Sequence, residues 1–465
     1  MTAFQMPVTT APGQHPHESG GRLINCYAEK LDGAAGTQVV VHRVPGLMGF
    51  ATSNQSGFRG ALQVGSTLYS AWSGKVYKCS STGGALAALT GSLTGTARVF
   101  MARNNAATPD LVVVSPGDGA FVASTTAVSS YPDADVGSPN AVCEHKSFFI
   151  FTRGNGTIIA TGPNSTAINT LDTATAEYKP DTAYRPMSYK DNLLIWGSES
   201  VEFWGGLNDT GFPFSFISAM DIGIVGPYAV GGDTDGFDAG IYFVASDFRF
   251  SRIVGYGREV IPHADLERLI SLVEDKTTIT VDCYVERGRP VVVISSPTWT
   301  WEYSVTSGTF NERASYLGTR WRGLQPFKAF DRWHCGDTES GNLLRLDFQE
   351  QMEAGQPLVF ITEPGPMGNF PKPLRADRVE LYMTRGVGIA TGLDPQQTDP
   401  QIECQFSPDG GLSWKDPRRA KLGRQQIASG RVAFNMLGMA HPQGARLRFI
   451  IADPVPVGLM GGDLR

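Results

Sequence analysis

The stretch Phe58–Cys79, FRGALQVGSTLYSAWSGKVYKC, decides the fold. Ala61, Leu62 and Val64 lead into Gly65-Ser66, Leu68–Trp72 alternates apolar with small residues, Ser73-Gly74 turns, and Val76-Tyr77 returns. Short alternating runs bounded by Gly and Ser predict a β-hairpin. The same grammar returns along the chain, with strands around Tyr69, Leu111, Phe148, Leu193, Ile241, Val291 and Trp333, spaced by 42, 37, 45, 48, 50 and 42 residues. A drifting period of about 40 to 50 residues, built only from strands and turns, predicts a β-propeller. A solenoid repeats at shorter spacing and a sandwich does not repeat, so the expectation is six or seven blades within residues 58–355.

Outside the repeats the pattern changes. Residues 1–57 read as an extended arm of Pro, Gly, Thr and His, followed by strands at Arg22–Lys30 and a Pro45-Gly46 turn. Two roles remain open for it: closing the propeller, or packing on the C-terminal domain. Residues 356–465 open on Pro357, Pro364, Pro366, Pro371 and Pro373. Alternating runs follow at Arg378–Met383, Ile402–Phe406, Arg431–Phe434 and Ala445–Ile450. Four or five such strands predict a small C-terminal β-sandwich. One segment, Ala264–Asp275, reads as a helix, because Leu266, Leu269, Ile270 and Val273 fall at i, i+3, i+4 and i+7. It is expected as an insertion packing on its own blade or on a neighbouring subunit.

Composition narrows the function. Lys+Arg 39 against Asp+Glu 45 leaves a net charge of −6, which disfavours a protein that grips duplex DNA. The six cysteines are far apart, with no C-x-x-C pair, and read as reduced core residues. No basic segment followed by an apolar run opens the chain, and no apolar stretch approaches bilayer length, so neither export nor membrane insertion is expected. Assembly in a cytoplasm follows from that reading.

Ser407, Asp409, Gly411 and Trp414 fit S-x-D-x-G-x-[ST]-W, the Asp-box of sialidase propellers and many other β proteins. Its physics is local: the carboxylate accepts N–H bonds across the turn, glycine takes positive φ, and the tryptophan anchors the next strand. A structural hairpin is the expectation. Arg418, Arg419, Lys421 and Arg424 form the one basic cluster, either a solvated loop or a contact for phosphate or an acidic partner. The Asp233–Asp238 loop lacks EF-hand spacing and reads as a polar turn rather than a calcium site. His15, His17 and Glu18, split by Pro16, read as a solvated arm rather than a metal site. Neither a phosphate loop nor a G-x-S-x-G elbow occurs; carboxylate pairs for sugar hydrolysis converge only in three dimensions and none is singled out, and no catalytic residue, cofactor or metal is assigned.

Arg22–Glu29, Arg43–Leu47 and Phe58–Gly60 leading into the first hairpin resemble the packaged-DNA stabilisation proteins of short-tailed bacteriophages, the tail hub or nozzle family. The far end agrees through Phe406–Trp414, Leu422-Gly423, Arg446–Phe449 and Asp453–Val457. The resemblance implies a structural virion protein on a propeller scaffold, in six copies at the distal end of a short tail. A head-to-tail adaptor would lie above it, with tail fibres or tailspikes and a plug or ejection proteins nearby. Genomic DNA would pass through without sequence-specific binding. The rival readings are a propeller glycosidase or sialidase-like hydrolase, suggested by the Asp-box, and a receptor-binding tail protein. Hydrolases of that kind carry several boxes spread through the repeats, whereas here one sits outside them.

Overall fold

The computed structural model describes residues 2–33, 36–368, 370–425, 430–442 and 444–465. They are almost entirely β, and divide into two compact units. One comprises Gly49–Val285 with Arg322–Arg345; the other comprises Met1–Met48, Glu286–Trp321 and Leu346–Arg465.

The first unit is built from the repeats. Phe58–Val64, Thr67–Trp72 and Lys75–Cys79 form an antiparallel meander, with Gly65 (φ 57°) and Ser73 (φ 47°) in the expected turns. Ala87–Ala88 completes this four-stranded sheet. Four-stranded meanders follow over 100–130, 141–175, 183–220 and 230–260. The second strand of each is buried on both faces. In Leu111–Ser115, Leu111 and Val113 pack with Tyr69 and Val76 of the preceding sheet, while Val112 and Val114 pack with Phe149 and Phe151 of the next. That explains the unbroken apolar run LVVV where a half-exposed strand would alternate.

Seven strands present residues to one central cavity: Phe58–Val64, Phe100–Arg103, Ala141–His145, Ala183–Tyr189, Val230–Gly231, Thr280–Glu286 and Gly323–Ala329. The ring closes where Phe58, Leu68 and Trp72 meet Phe327, Ala329 and Leu343. Gly336 sits so close to Phe58 that a Cβ there would come within 2.1 Å of the ring. A second fastening is made by the segment after Gly49, where Ser53 N donates to the Gly341 carbonyl at 2.8 Å.

The helix is shorter than its periodicity predicts, Ala264–Leu272. Val273 is already extended, and Asp275 caps a separate 3-10 turn over Lys276–Thr278 by accepting from Thr277 N. Leu266 and Ile270 are fully buried, so the stripe packs within the chain; Leu272 stays exposed.

The second unit is a sandwich of two sheets around one core. Cys26–Gly33, Gly36–Arg43, Gly458–Leu464, Leu374–Met383 and Val432–Ala440 form one sheet, with Thr2–Gln5 paired to Gly458–Leu464. The other runs through Arg289–Ser295, Thr300–Ser304, Thr309–Glu312, Gly21–Ile24, Phe360–Pro364, Arg446–Ile451, Gln401–Ser407 and Arg418–Lys421. Leu23, Cys26, Val41, Phe360, Val379, Cys404, Phe434, Phe449 and Leu459 share the core between them. The N-terminal strands therefore pack with the C-terminal ones.

Candidate functional site

Three places concentrate polar chemistry: the Asp-box hairpin with its basic neighbour, a buried charge cluster, and the axial cavity.

In the hairpin, Ser413 N donates to Asp409 Oδ1 at 2.9 Å and the Ser407 hydroxyl donates to the same oxygen at 2.7 Å. Gly411 N donates to Ser407 Oγ at 2.7 Å. Gly410 and Gly411 take φ of 73° and 108°, where a side chain is strained. Desolvation raises the Asp409 carboxyl, but the Ser413 and Ser407 donors together outweigh it and hold the pKa at about 2. The bonds to Asp409 all come from within its own turn, from Ser407 and Ser413.

Beyond the turn lies a charge relay. Glu363 is buried and accepts from both Arg446 Nη2 and Arg448 Nε at 2.6 Å. The Arg448 guanidinium lies 4.0 Å from the Trp414 ring centroid. Arg446 also reaches the Pro16 carbonyl at 2.9 Å and Ser19 Oγ at 3.3 Å. The box thus anchors the N-terminal arm. His15 and His17 stack at 5.7 Å in that arm, and among the described residues no group of His, Cys, Asp or Glu is arranged to hold a metal.

Of the four basic residues, three are engaged. Arg419 Nε donates to Glu403 at 2.8 Å, Lys421 Nζ to Asp399 at 2.6 Å, and Arg418 Nη2 to the Met436 carbonyl at 2.9 Å. All four are exposed.

Sequence reasoning missed the cluster around Arg313, which is fully buried. Its guanidinium donates to Glu302 Oε1 at 2.8 Å and to the Pro45 carbonyl at 2.7 Å, approaches Glu353 at 3.5 Å, and stacks 4.0 Å from the Trp321 ring centroid. Glu353 also accepts from Ser315 Oγ at 2.7 Å and Trp321 Nε1 at 3.0 Å. Burial pushes Glu353 up, whereas for Glu302 the burial cost is overridden by Arg313, and its pKa is lowered. Residues scattered over 302–353 give no local signal of such a cluster.

The axial cavity has a volume of about 470 Å3. Its walls carry fixed ion pairs: Arg98–Asp282 at 2.8 Å, Arg185–Asp233 at 2.5 Å and Arg103–Asp235 at 3.4 Å. Arg185 lies 4.9 Å from the Phe100 ring, which stacks on Tyr228 at 5.5 Å, and Arg98 lies 5.5 Å from Tyr228. Asp233 and Asp235 thus pair with arginines. No disulfide joins cysteines among the described residues, and burial raises the thiols of Cys26, Cys283 and Cys404, and that of Cys79 to about 11.

Residues 24–351 match the family described as Phage_stabilise: Bacteriophage P22 Gp10, beta-propeller. The chain belongs to that family. As a Phage_stabilise member it is a structural phage tail stabilisation, or nozzle, protein, a component of the virion tail that assembles with other virion components. The propeller named for the family is the architecture built by the repeats. No curated protein matches the chain. Similar solved structures include PorZ of the Porphyromonas gingivalis type-IX secretion system, 12% identical over 72% of this chain and 45% of that one, with a TM-score of 0.38. The computationally designed Ika8 protein is 10% identical over 73% and 99%, with a TM-score of 0.39. BBS1N, in complex with ARL6DN, is 10% identical over 65% and 97%, with a TM-score of 0.40.

Proposed function

We propose that six copies close into a ring at the distal end of a short tail, below the head-to-tail adaptor, and that the genome leaves between the copies. The ring retains the packaged DNA, and meets fibres or tailspikes and a plug or ejection proteins. The observation carrying this reading is that side chains of different blades meet across the propeller axis: Arg98, just before the strand Phe100–Arg103, pairs with Asp282 of Thr280–Glu286 at 2.8 Å, and the Tyr228 hydroxyl donates to the Arg98 carbonyl at 2.9 Å. Duplex DNA has no route along a propeller axis, so a conduit built from this chain needs a bore enclosed by several subunits. Head-to-tail contacts that close on themselves supply one.

The charge favours a conduit over a clamp. Six copies at −6 each carry −36, and the composition allows a bore that does not hold phosphate. Arg418, Arg419, Lys421 and Arg424 then face away from the DNA path. The test is imaging of intact tails without imposed symmetry. Six copies around a DNA-wide bore are expected; a different symmetry at this level, or a bore lined by those four cations, overturns the proposal. An isolated monomer does not, because the adaptor acts as template.

A further inference from the structure

Phe406, Trp414, Lys415, Asp416, Pro417, Arg418 and Leu437 line a groove of about 560 Å3 beside the Asp-box hairpin. Its apolar lining is Phe406, Trp414, Pro417 and Leu437, and two exposed apolar side chains are near it in sequence, Leu412 (73%) two residues from Trp414 and Met436 (74%) next to Leu437. Its cations are Lys415 and Arg418. Lys415 Nζ lies 5.3 Å from the Phe406 ring centroid, and Arg418 is held by the Met436 carbonyl. The strand Arg418–Lys421 ends its sheet, paired with Gln401–Ser407 on one side and with no strand on the other among the described residues. Lys415, Arg418, Arg419, Lys421 and Arg424 stand with Asp416 in one stretch of sequence, and Arg419 and Lys421 pair with Glu403 and Asp399; five cations against three carboxylates leave an excess of two positive charges on a chain whose net charge is −6.

We propose that this groove docks an extended, acidic segment of a partner protein, with carboxylates on Lys415 and Arg418 and an apolar side chain seated against Trp414. The partner's place in the virion rests on the tail reading above; the docking chemistry does not. Arginine and tryptophan, both in the lining of this partly apolar depression, are side chains enriched among those that dominate protein interfaces. An unpaired strand edge offers N–H and C=O groups that a polypeptide can pair with and a nucleic acid cannot. Arg419 and Lys421 are committed to Glu403 and Asp399, so a phosphate that reached either cation would meet its carboxylate partner. A polypeptide with spaced carboxylates meets two cations held by carbonyls, Lys415 by Leu437 and Arg418 by Met436, without approaching Glu403 or Asp399.

The experiment uses the full chain in solution. The probe is a fluorescein-labelled twelve-residue peptide of alternating Glu and Ala with one central Leu, read by anisotropy, with a duplex oligonucleotide as competitor. The wild type is expected to bind the peptide. Lys415→Glu with Arg418→Glu is expected to weaken it at least tenfold, and the milder Lys415→Gln with Arg418→Gln less. Thermal unfolding checks that both variants are folded. No peptide binding, equal binding by the reversed variant, or displacement by the oligonucleotide at matched charge overturns the proposal. Imaging of tails fails or succeeds independently of these outcomes, so loss of the ring reading leaves the docking result standing.

Discussion

Gly336→Ala should loosen the closure of the propeller, and the structure fixes how much. The added Cβ would lie 2.1, 2.2 and 2.7 Å from Cδ1, Cγ and Cε1 of Phe58, where ordinary contacts begin at 3.4 Å. The ring must therefore withdraw by about 1.3 Å, the difference between 3.4 and 2.1 Å. It has nowhere to go. Phe58 is 9% exposed, meets Trp72 edge-on at 5.0 Å and stacks on Phe327 at 6.3 Å, and Trp72 itself is fully buried. Overpacking of this kind costs about 1–3 kcal/mol. Backbone conformation adds nothing, because Gly336 is not among the glycines at positive φ. Phe58→Leu alone costs about 1 kcal/mol through lost volume, but in the Gly336→Ala background it makes room and should recover part of the loss. A coupling of about 1 kcal/mol between the two is expected. With two units in one chain a single global transition is the wrong readout. Hydrogen exchange of Phe58–Val64 and Arg332–Asp337 reports the closure directly. A Gly336→Ala chain whose protection there is unchanged, or a double variant no better than the sum of its parts, refutes the reasoning.

Arg313→Met leaves Glu302 and Glu353 buried without their shared cation, and should cost about 3–5 kcal/mol. Folding then raises both carboxyls above their unfolded values, so the deficit shrinks as pH falls toward the carboxylate range and grows as it rises; unfolding measured across pH checks the sign. Asp409→Ala orphans the turn donors and should cost about 1–3 kcal/mol, read as weaker protection of the arm that Arg446 ties to the hairpin. The wild-type contribution of Asp409, depressed to about 2, is complete above the ordinary carboxylate pKa and is lost as pH falls through about 2; the same exchange experiment in acid follows it. Loss of a wild-type hydrolytic activity in a folded Asp409→Ala chain would overturn the structural assignment.

The propeller was legible because its second strands are apolar on both faces. Leu68–Trp72, Leu111–Val114, Phe148–Phe151 and Leu193–Trp196 are such strands, and they set the period. The inner strands were less visible. Phe100–Arg103, Ala141–His145 and Ala183–Tyr189 mix core residues with Arg103, Glu144 and Arg185, which face the cavity, and so lack both the apolar run and clean alternation. Counting hairpins therefore found the repeats, with three strands read in the first sheet and two of four in the sheets that follow it. The placing of the N-terminal arm was beyond any local pattern, since Thr2 pairs with Leu464 and Gly21 with Pro364. Of the polar sites, the Asp-box was visible because its chemistry is confined to Ser407–Trp414. Arg313 met its carboxylates only through the fold.

The basic cluster allows the sharpest separation of conduit from clamp. Each phosphate neutralised by a cation releases counterions, and the logarithm of affinity then falls with the logarithm of salt by about 0.9 per contact. A clamp using Arg418, Arg419, Lys421 and Arg424 would give a slope near −3.6. The geometry argues against it: Arg419 and Lys421 sit in ion pairs of 2.8 and 2.6 Å with Glu403 and Asp399. Engaging phosphate would mean breaking those pairs and bringing two carboxylates against the backbone. Two cations at most remain, on a chain that is acidic overall, and two contacts give a slope near −1.8 with weak affinity throughout. The expectation is therefore a shallow salt dependence of duplex binding by the full chain, barely changed by Arg419→Gln with Lys421→Gln. A slope of −3 or steeper that those two substitutions flatten would make this face a DNA grip.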